Sequence, residues 1–222
     1  MRARKLRMYR RGRAMGMRLG GPFFGPYYGL SIHENRKFIY VRVPKVATHS
    51  MASFLAGSIS PPPTYHKRAF MPRDLDGWFV FTVVRNPWSR LVGTWKEKSV
   101  AATNPTSFYG PWRDRPFSDF VKHLSELDLD VAEDHVRRQT SLLPLDDLSF
   151  VARLEEISTD IEVISSELGV TPQALPQLNR SPSSVRGDYR EMYDDETIDL
   201  VAELYADEIE RFRYSFDGPL PR

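Results

Sequence analysis

The stretch FIYVRVPKVATHSM, residues 38–51, constrains the fold more than any other part of the chain. An apolar, β-branched run ends at Arg42 and Val43, and Pro44, Lys45 and a cluster of small or hydroxylated residues follow it. This order is typical of a strand that passes through an anion-binding loop into a helix, because the free N–H groups and the dipole of a helix N-terminus favour negative charge. A merely solvated lysine at a strand end is the alternative interpretation.

A second strand, predicted over residues 78–85, also ends in a cation. Its sequence WFVFTVVR is almost continuously apolar, as in a strand that is buried on both faces of a parallel sheet. Arg85 stands at its carboxyl end, and a guanidinium fork there is suited to a second phosphate. Two strand ends that each deliver a cation predict a ligand with two separated anionic groups.

Strands alternate with helices along the rest of the chain, which predicts one α/β domain, P-loop-like, with a central parallel β-sheet flanked by helices. The other predicted elements are helices over residues 50–58, 87–98, 117–127, 155–169 and 194–212, and a third strand over 148–154. The Gly- and Pro-rich segments 20–37 and 58–77 predict irregular conformation. We expect residues 1–35 to form a basic arm and an irregular strap, and residues 36–222 to form the domain.

Composition narrows the function classes. The 222 residues include no cysteine, which excludes disulfides, cysteine-based zinc sites and a thiol nucleophile. No metal is expected. No apolar run approaches the ~20 residues that span a bilayer, and no secretory signal is seen. We therefore expect no membrane span and a cytoplasmic location.

The net charge of +2 is unevenly distributed, because the first 20 residues form a strongly basic arm. Residues 1–20 contain eight Lys or Arg and no acid, so the remainder carries 23 basic and 29 acidic residues. A solvated arm, an arm that contacts a polyanion or an acidic membrane, and a transit peptide all remain open. No nucleic-acid partner is expected, and the oligomeric state is not predicted.

The loop departs from that of nucleotide triphosphatases. Their motif, G-x-x-x-x-G-K-[ST], needs glycines that let the backbone wrap the phosphates. Residues 43–50 contain no glycine, and Lys45 precedes the hydroxyl cluster. A P-loop nucleotide kinase is therefore a weaker alternative.

Together, VPKVATHSM and VVRNPWSRLV resemble the 5′-phosphosulfate loop and 3′-phosphate motif of sulfotransferases that use 3′-phosphoadenosine 5′-phosphosulfate (PAPS). HKRAF, HVRRQTSLL and LPQLNRS continue the resemblance, which is closest to carbohydrate sulfotransferases of the chondroitin and uronyl type and covers residues 36–214. It implies transfer of a sulfuryl group from PAPS to a hydroxyl of an acceptor, and the expected acceptor is a carbohydrate. No metal is implied. A non-catalytic relative that binds nucleotide or polyanion is the alternative.

The resemblance also implies the site residues. The implied ligands of the donor are Lys45, Val46, Ala47, Thr48, His49, Ser50, Arg85, the position of Gly93, Arg180 and Arg186. The family usually has Gly at the position of Ala47 and Ser at that of Gly93, so the 3′-phosphate is held more weakly here or by other groups, such as Thr94.

The catalytic residues implied are Lys45, which would stabilise the leaving group, and His66, which would act as general base. His66 lies in the segment where related uronyl enzymes carry a catalytic histidine, and we expect it on a loop. His135 and Glu97 are alternatives for the base, whereas His49 lies inside the loop and is a candidate to contact the phosphosulfate.

Overall fold

A five-stranded sheet forms the centre of the protein. The computed structural model describes residues 27–99, 104, 106–176 and 187–222. The strands are β1 (Tyr28–His33), β2 (Phe38–Arg42), β3 (Thr64–Arg68), β4 (Phe79–Val84) and β5 (Phe150–Arg153), in the order β3-β1-β2-β4-β5. This α/β architecture confirms the predicted fold class.

The sheet has a parallel half and an antiparallel half. β2, β4 and β5 pair in parallel, and they contain the two strands whose apolar runs predicted burial. β1 pairs antiparallel with both β2 and β3, so the sheet as a whole is mixed. Because the carboxyl ends of the parallel strands meet at one edge, Arg42 and Val84 direct the segments that follow them to the same crevice.

The predicted irregular conformation is wrong for residues 28–33 and 64–68. Leu30 is fully buried within β1, which is bonded to strands on both sides. β3 is an edge strand whose residues are mostly exposed, so it carries little hydrophobic pattern and depends on its pairing with β1. The division between strap and domain at residue 35 stays a prediction.

Helices cover the sheet. They are α1 (Thr48–Ser58), α2 (Pro87–Lys98), α3 (Phe117–Leu124), α4 (Gln139–Leu142), α5 (Ile157–Leu168), α6 (Asp195–Leu204) and α7 (Ala206–Phe212). Short 3-10 turns occur at Gly110–Trp112, Leu154–Glu156 and Tyr189–Met192, and a small hairpin pairs β6 (Tyr214–Ser215) with β7 (Gly218–Pro219). None of the helices in the described ranges is long and apolar enough to cross a membrane.

The single C-terminal helix predicted over residues 194–212 is wrong, because it is broken at Tyr205. That residue has φ −114° and ψ 20°, outside the helical region. Its ring is buried, and its hydroxyl donates to the carbonyl of Val136 at 2.6 Å. This tertiary bond fixes Tyr205 between α6 and α7. No local sequence signal predicts the break.

Two apolar clusters flank the crevice. The first lies around the sheet and includes Phe54 of α1 and Ile164 of α5. The second joins α2, α3 and α6 through residues such as Leu91, Phe120 and Val201. α2 thus has one side packed in a rigid core, and its other side is positioned to carry functional groups.

Candidate active site

The loop between β2 and α1 has an unusual backbone. Lys45 and Ala47 both lie in the left-handed region, with φ 69° and φ 60°. For residues with a Cβ this conformation costs roughly 1–2 kcal/mol, and such strain is concentrated at functional sites. Ala47 takes this conformation at the position where the family that the sequence resembles usually has glycine, so the backbone tolerates the extra Cβ.

The start of α1 lacks a side-chain cap. Ala47 occupies the N-cap position and offers no oxygen to the first N–H groups of the helix. Those donors need another acceptor, and the helix dipole favours an anion at this point. The first turn of α1 therefore has the electrostatics of a phosphate or phosphosulfate site.

The side chains of the loop differ in what they can contribute. Val46 is fully buried and can offer only its backbone. The hydroxyl of Thr48 donates to the carbonyl of Val43, so the N–H of Thr48 is its remaining donor for a bound anion. His49 is exposed, whereas Ser50 is buried on the first turn of α1.

Lys45 faces α2 and pairs with Glu97. Its Nζ donates to a carboxylate oxygen of Glu97, and only 15% of the lysine side chain is exposed. Burial lowers the pKa of Lys45 from its ordinary value, and the bond to Glu97 opposes this change. For Glu97, burial alone would raise the pKa, but the bond from Lys45 and the nearby cations outweigh it and lower the pKa. The pair is therefore ionic.

The guanidinium of Arg85 is held at the end of β4 by three hydrogen bonds to two groups. Its Nε and Nη2 both donate to Ser89 Oγ, at 3.1 and 2.8 Å, and its Nη1 donates to the carbonyl of Lys45 at 3.3 Å. Burial lowers the pKa of its guanidinium, and the negative charge of Glu155 opposes this effect. A partly buried arginine that is aimed at the phosphate loop is suited to a second anionic group.

Gln139 fixes the backbone around Arg85. Its side-chain oxygen accepts from the N–H of Arg85 at 2.9 Å, and its amide donates to the carbonyl of Arg85 at 2.8 Å. The same amide donates to Glu208 at 2.9 Å. Gln139 is fully buried, so this network positions the strand end rigidly.

One stripe of α2 contacts both cations. Ser89, Gly93 and Glu97 follow each other at four-residue spacing and therefore share a face of the helix. Ser89 contacts Arg85 and Glu97 contacts Lys45. A Cβ added at Gly93 would lie 3.1 Å from Arg85 Nη1 and 3.8 Å from Lys45 Cε. Gly93 thus leaves open the space where the two side chains come closest.

A buried arginine attaches a further segment to the phosphate loop. Arg90 donates from Nε to the carbonyl of Pro44 at 3.1 Å and from Nη1 to that of Arg137 at 2.9 Å. Its Nη2 donates to the carbonyl of Asp134 at 3.2 Å. Arg90 is 2% exposed, so it positions residues 134–137 beside the loop and is itself unavailable to a ligand.

The remaining predicted residues lie outside this crevice or outside the described ranges. His66 is in the middle of β3, paired with Leu30 of β1, and not on a loop as expected. No hydrogen bond or ion pair joins its side chain to the described residues of the crevice. Arg180 and Arg186 lie outside the described residues. The assigned roles of all these residues stay predictions.

Several residues of the site were missed or underrated by sequence reasoning. The contacts of Ser89 and Gln139 with Arg85 were not predicted, and Glu97 was considered only as a candidate base. The four-residue spacing from Gly93 was a usable signal for Ser89 and Glu97. Gln139 gave no such signal, because its contact with Arg85 is a tertiary one.

An anion-binding loop after a parallel strand, with a second cation at the neighbouring strand end, defines an α/β protein that binds a ligand with two anionic groups. The model of the sulfotransferase family matches residues 28–215. The chain belongs to this family, and it is a PAPS-dependent sulfotransferase with a P-loop-like fold. No curated protein and no solved structure matches the chain significantly.

Proposed function

We propose that the protein transfers the sulfuryl group of PAPS to a hydroxyl of a carbohydrate. The observation that carries the donor side is the convergence of Lys45 and Arg85 over Gly93. The loop N–H groups and Lys45 hold the 5′-phosphosulfate, and Arg85 holds the 3′-phosphate. The fit of this donor rests on the unusual, uncapped loop and on the second cation at the adjacent strand end.

Sulfuryl transfer requires in-line geometry and stabilisation of charge, with little covalent work for the protein. The acceptor oxygen attacks sulfur, and the bond between sulfur and the bridging oxygen of the donor breaks. Lys45 stabilises the negative charge that develops on that oxygen. Its pairing with Glu97 keeps the ammonium charged and correctly placed before the reaction.

An exposed strip of aromatic and cationic side chains supports a carbohydrate acceptor. Tyr65 of β3 is 52% exposed, and the guanidinium of Arg42 lies 4.5 Å from the centre of its ring. Lys67 lies 5.8 Å from the ring centre of Tyr27, which is also exposed. Aromatic faces stack on sugar rings, and Arg42 is three residues from Lys45, so the strip leads from the phosphate loop across the sheet.

Gly29 makes room for this strip. It lies opposite both Arg42 on β2 and Lys67 on β3. A Cβ at Gly29 would lie 3.5 Å from the Cβ of Arg42 and 3.5 Å from the hydroxyl of Tyr65. The missing side chain allows Tyr65 and Arg42 to contact each other across the intervening strand.

The test measures transfer from radiolabelled PAPS to three polysaccharides: unsulfated chondroitin, heparosan and dextran. We expect at least one to be labelled, and we expect Tyr65→Ala to raise KM for it while Tyr65→Phe, which keeps the ring, does not. Val163→Ala, an exposed apolar residue on α5, is the matched control. Labelling of small phenols or alcohols but of no polysaccharide would refute the carbohydrate assignment.

A further inference from the structure

His135, one of the alternatives for the base, forms a bonded pair with a carboxylate. His135 Nδ1 lies 2.7 Å from Glu133 Oε1. Because an ionised carboxylate can only accept hydrogen bonds, the neutral form of the imidazole has its proton on Nδ1 and its free lone pair on Nε2. No hydrogen bond or ion pair within the described residues engages Nε2. The side chain of His135 is 25% exposed, so its ring is accessible from solvent.

Glu133 is held as an anion by three donors. Besides the ring of His135, it accepts from the backbone N–H of His135 at 2.9 Å and from the hydroxyl of Tyr109. Burial alone would raise its pKa, but the bonds from His135 and Tyr109 outweigh it and lower the pKa to about 2. Tyr109 is buried in the second apolar cluster. The carboxylate therefore fixes both the tautomer and the orientation of the imidazole.

The pair lies on a segment that Arg90 joins to the phosphate loop. Arg90 bonds the carbonyls of Asp134 and Pro44, and Pro44 directly precedes Lys45. The hydroxyl of Thr94 donates to the carbonyl of His135 at 3.2 Å. Glu97 follows Thr94 by three residues on α2, so the backbone of His135 lies against the helix that carries the partner of Lys45.

Glu97 and His66 are less suited to accept a proton here. The carboxylate of Glu97 is engaged by Lys45, which lowers its basicity. His66 belongs to β3, which is separated from β2 by β1. Two strand spacings place it about 10 Å to the side of β2. His135 alone of these three has an orienting carboxylate and a free ring nitrogen.

We propose that His135 is the general base of the transfer reaction and that Glu133 positions it. This inference rests on the part of the proposed function that makes PAPS the donor, and it does not depend on the carbohydrate acceptor. The proton of the attacking hydroxyl moves to His135 Nε2 while its oxygen bonds to sulfur. The bond from sulfur to the bridging oxygen breaks, and its electron pair stays on the departing adenosine 3′,5′-bisphosphate. The imidazolium then releases its proton to solvent.

The experiment uses water as the acceptor, so it does not depend on the carbohydrate. Release of adenosine 3′,5′-bisphosphate from PAPS is measured for wild type, His135→Ala, His66→Ala, Glu133→Gln and the double variant His135→Ala/Glu133→Gln. Each assay is repeated with added imidazole. Calorimetric titration with adenosine 3′,5′-bisphosphate shows that each variant is folded and binds the nucleotide.

We expect His135→Ala to slow release by ~10²–10⁴-fold, the usual contribution of a positioned base, with nucleotide affinity unchanged. Imidazole should restore part of the rate in His135→Ala and none in His66→Ala. The double variant should be no slower than His135→Ala, because Glu133 acts only through His135.

Three results would overturn the proposal: an unchanged rate in His135→Ala, rescue by imidazole of His66→Ala instead, or an additional loss in the double variant. If His135→Ala does not fold, His135→Gln replaces it, with a lowered rate at unchanged nucleotide affinity as the required result. Failure of every polysaccharide to accept sulfate would refute the carbohydrate acceptor and leave this comparison intact.

Discussion

The guanidinium of Arg85 donates from Nη1 to the backbone carbonyl of Lys45 at 3.3 Å. This bond joins the end of β4 to the phosphate loop that follows β2, two segments that are 40 residues apart in sequence. Any ligand that engages both cations must therefore lie across the boundary between these adjacent parallel strands. The bond also means that Arg85 has two functions, because it holds the loop and offers charge to a ligand.

Replacement of Arg85 by lysine should separate these functions. Lysine keeps the charge but cannot bond Ser89 and Lys45 with one rigid fork. Since a hydrogen bond to a charged group contributes ~1.5–3 kcal/mol, we expect calorimetry to show about 10–100-fold weaker binding of adenosine 3′,5′-bisphosphate. Affinity for adenosine 5′-phosphosulfate, which has no 3′-phosphate, should fall less, because this nucleotide is affected only by the loosened loop. An equal loss for both nucleotides would show that Arg85 acts only by holding the loop.

Glu97→Gln should change the pH dependence of the reaction. Lys45 must be protonated to stabilise the leaving group, burial lowers its pKa, and Glu97 opposes that change. Removal of the negative charge should therefore lower the pKa of Lys45 further. In a pH–rate profile of PAPS turnover, the loss of activity on the alkaline side should begin at a lower pH than in the wild type.

The matched control for this profile is Glu203→Gln, which removes an exposed carboxylate from α6. Its alkaline limb should coincide with that of the wild type. A shift of the same size in both variants would attribute the effect to net charge and not to the pair.

Gly93→Ser should be accommodated and should restore a hydroxyl beside Arg85. The new Cβ would lie 3.1 Å from Arg85 Nη1, so the guanidinium must move by a few tenths of an ångström. Gly93→Ala adds the same Cβ without the hydroxyl and, within a helix, should stabilise the fold by about 0.5–1 kcal/mol. We expect the Gly93→Ser variant to bind adenosine 3′,5′-bisphosphate more tightly than the Gly93→Ala variant. Equal affinities would place the 3′-phosphate away from Gly93.

Glu133 should contribute to stability above pH 4.5 and should lose that contribution in acid. Its pKa is lowered from 4.5 to about 2 in the folded protein. A lowered pKa stabilises the fold above the pKa of the unfolded chain, and that contribution is lost as pH falls through the folded value. As the pH falls from 4.5 to about 2, the free energy of unfolding measured with urea should therefore decline less in Glu133→Gln than in the wild type. An identical decline would mean that the network with His135 and Tyr109 does not hold the charge.

Much of the framework was predictable because its signals are local. The apolar runs of β2 and β4, the proline that opens α2 and the left-handed Gly169 that closes α5 each specify structure within a few residues. The same is true of Lys45 and Arg85, whose positions at strand ends follow from the order of residues. The sequence therefore determined the parallel core and the two cations at its edge.

The tertiary structure decided how those cations are held and what accompanies them. β3 exists because β1 pairs with it, and the helix break at Tyr205 exists because its hydroxyl reaches Val136. Glu133 and His135 are close in sequence, but Tyr109 comes from another loop. These contacts join groups that are distant in sequence, so they contribute free energy only after the fold brings the groups together. No local sequence pattern therefore predicts them.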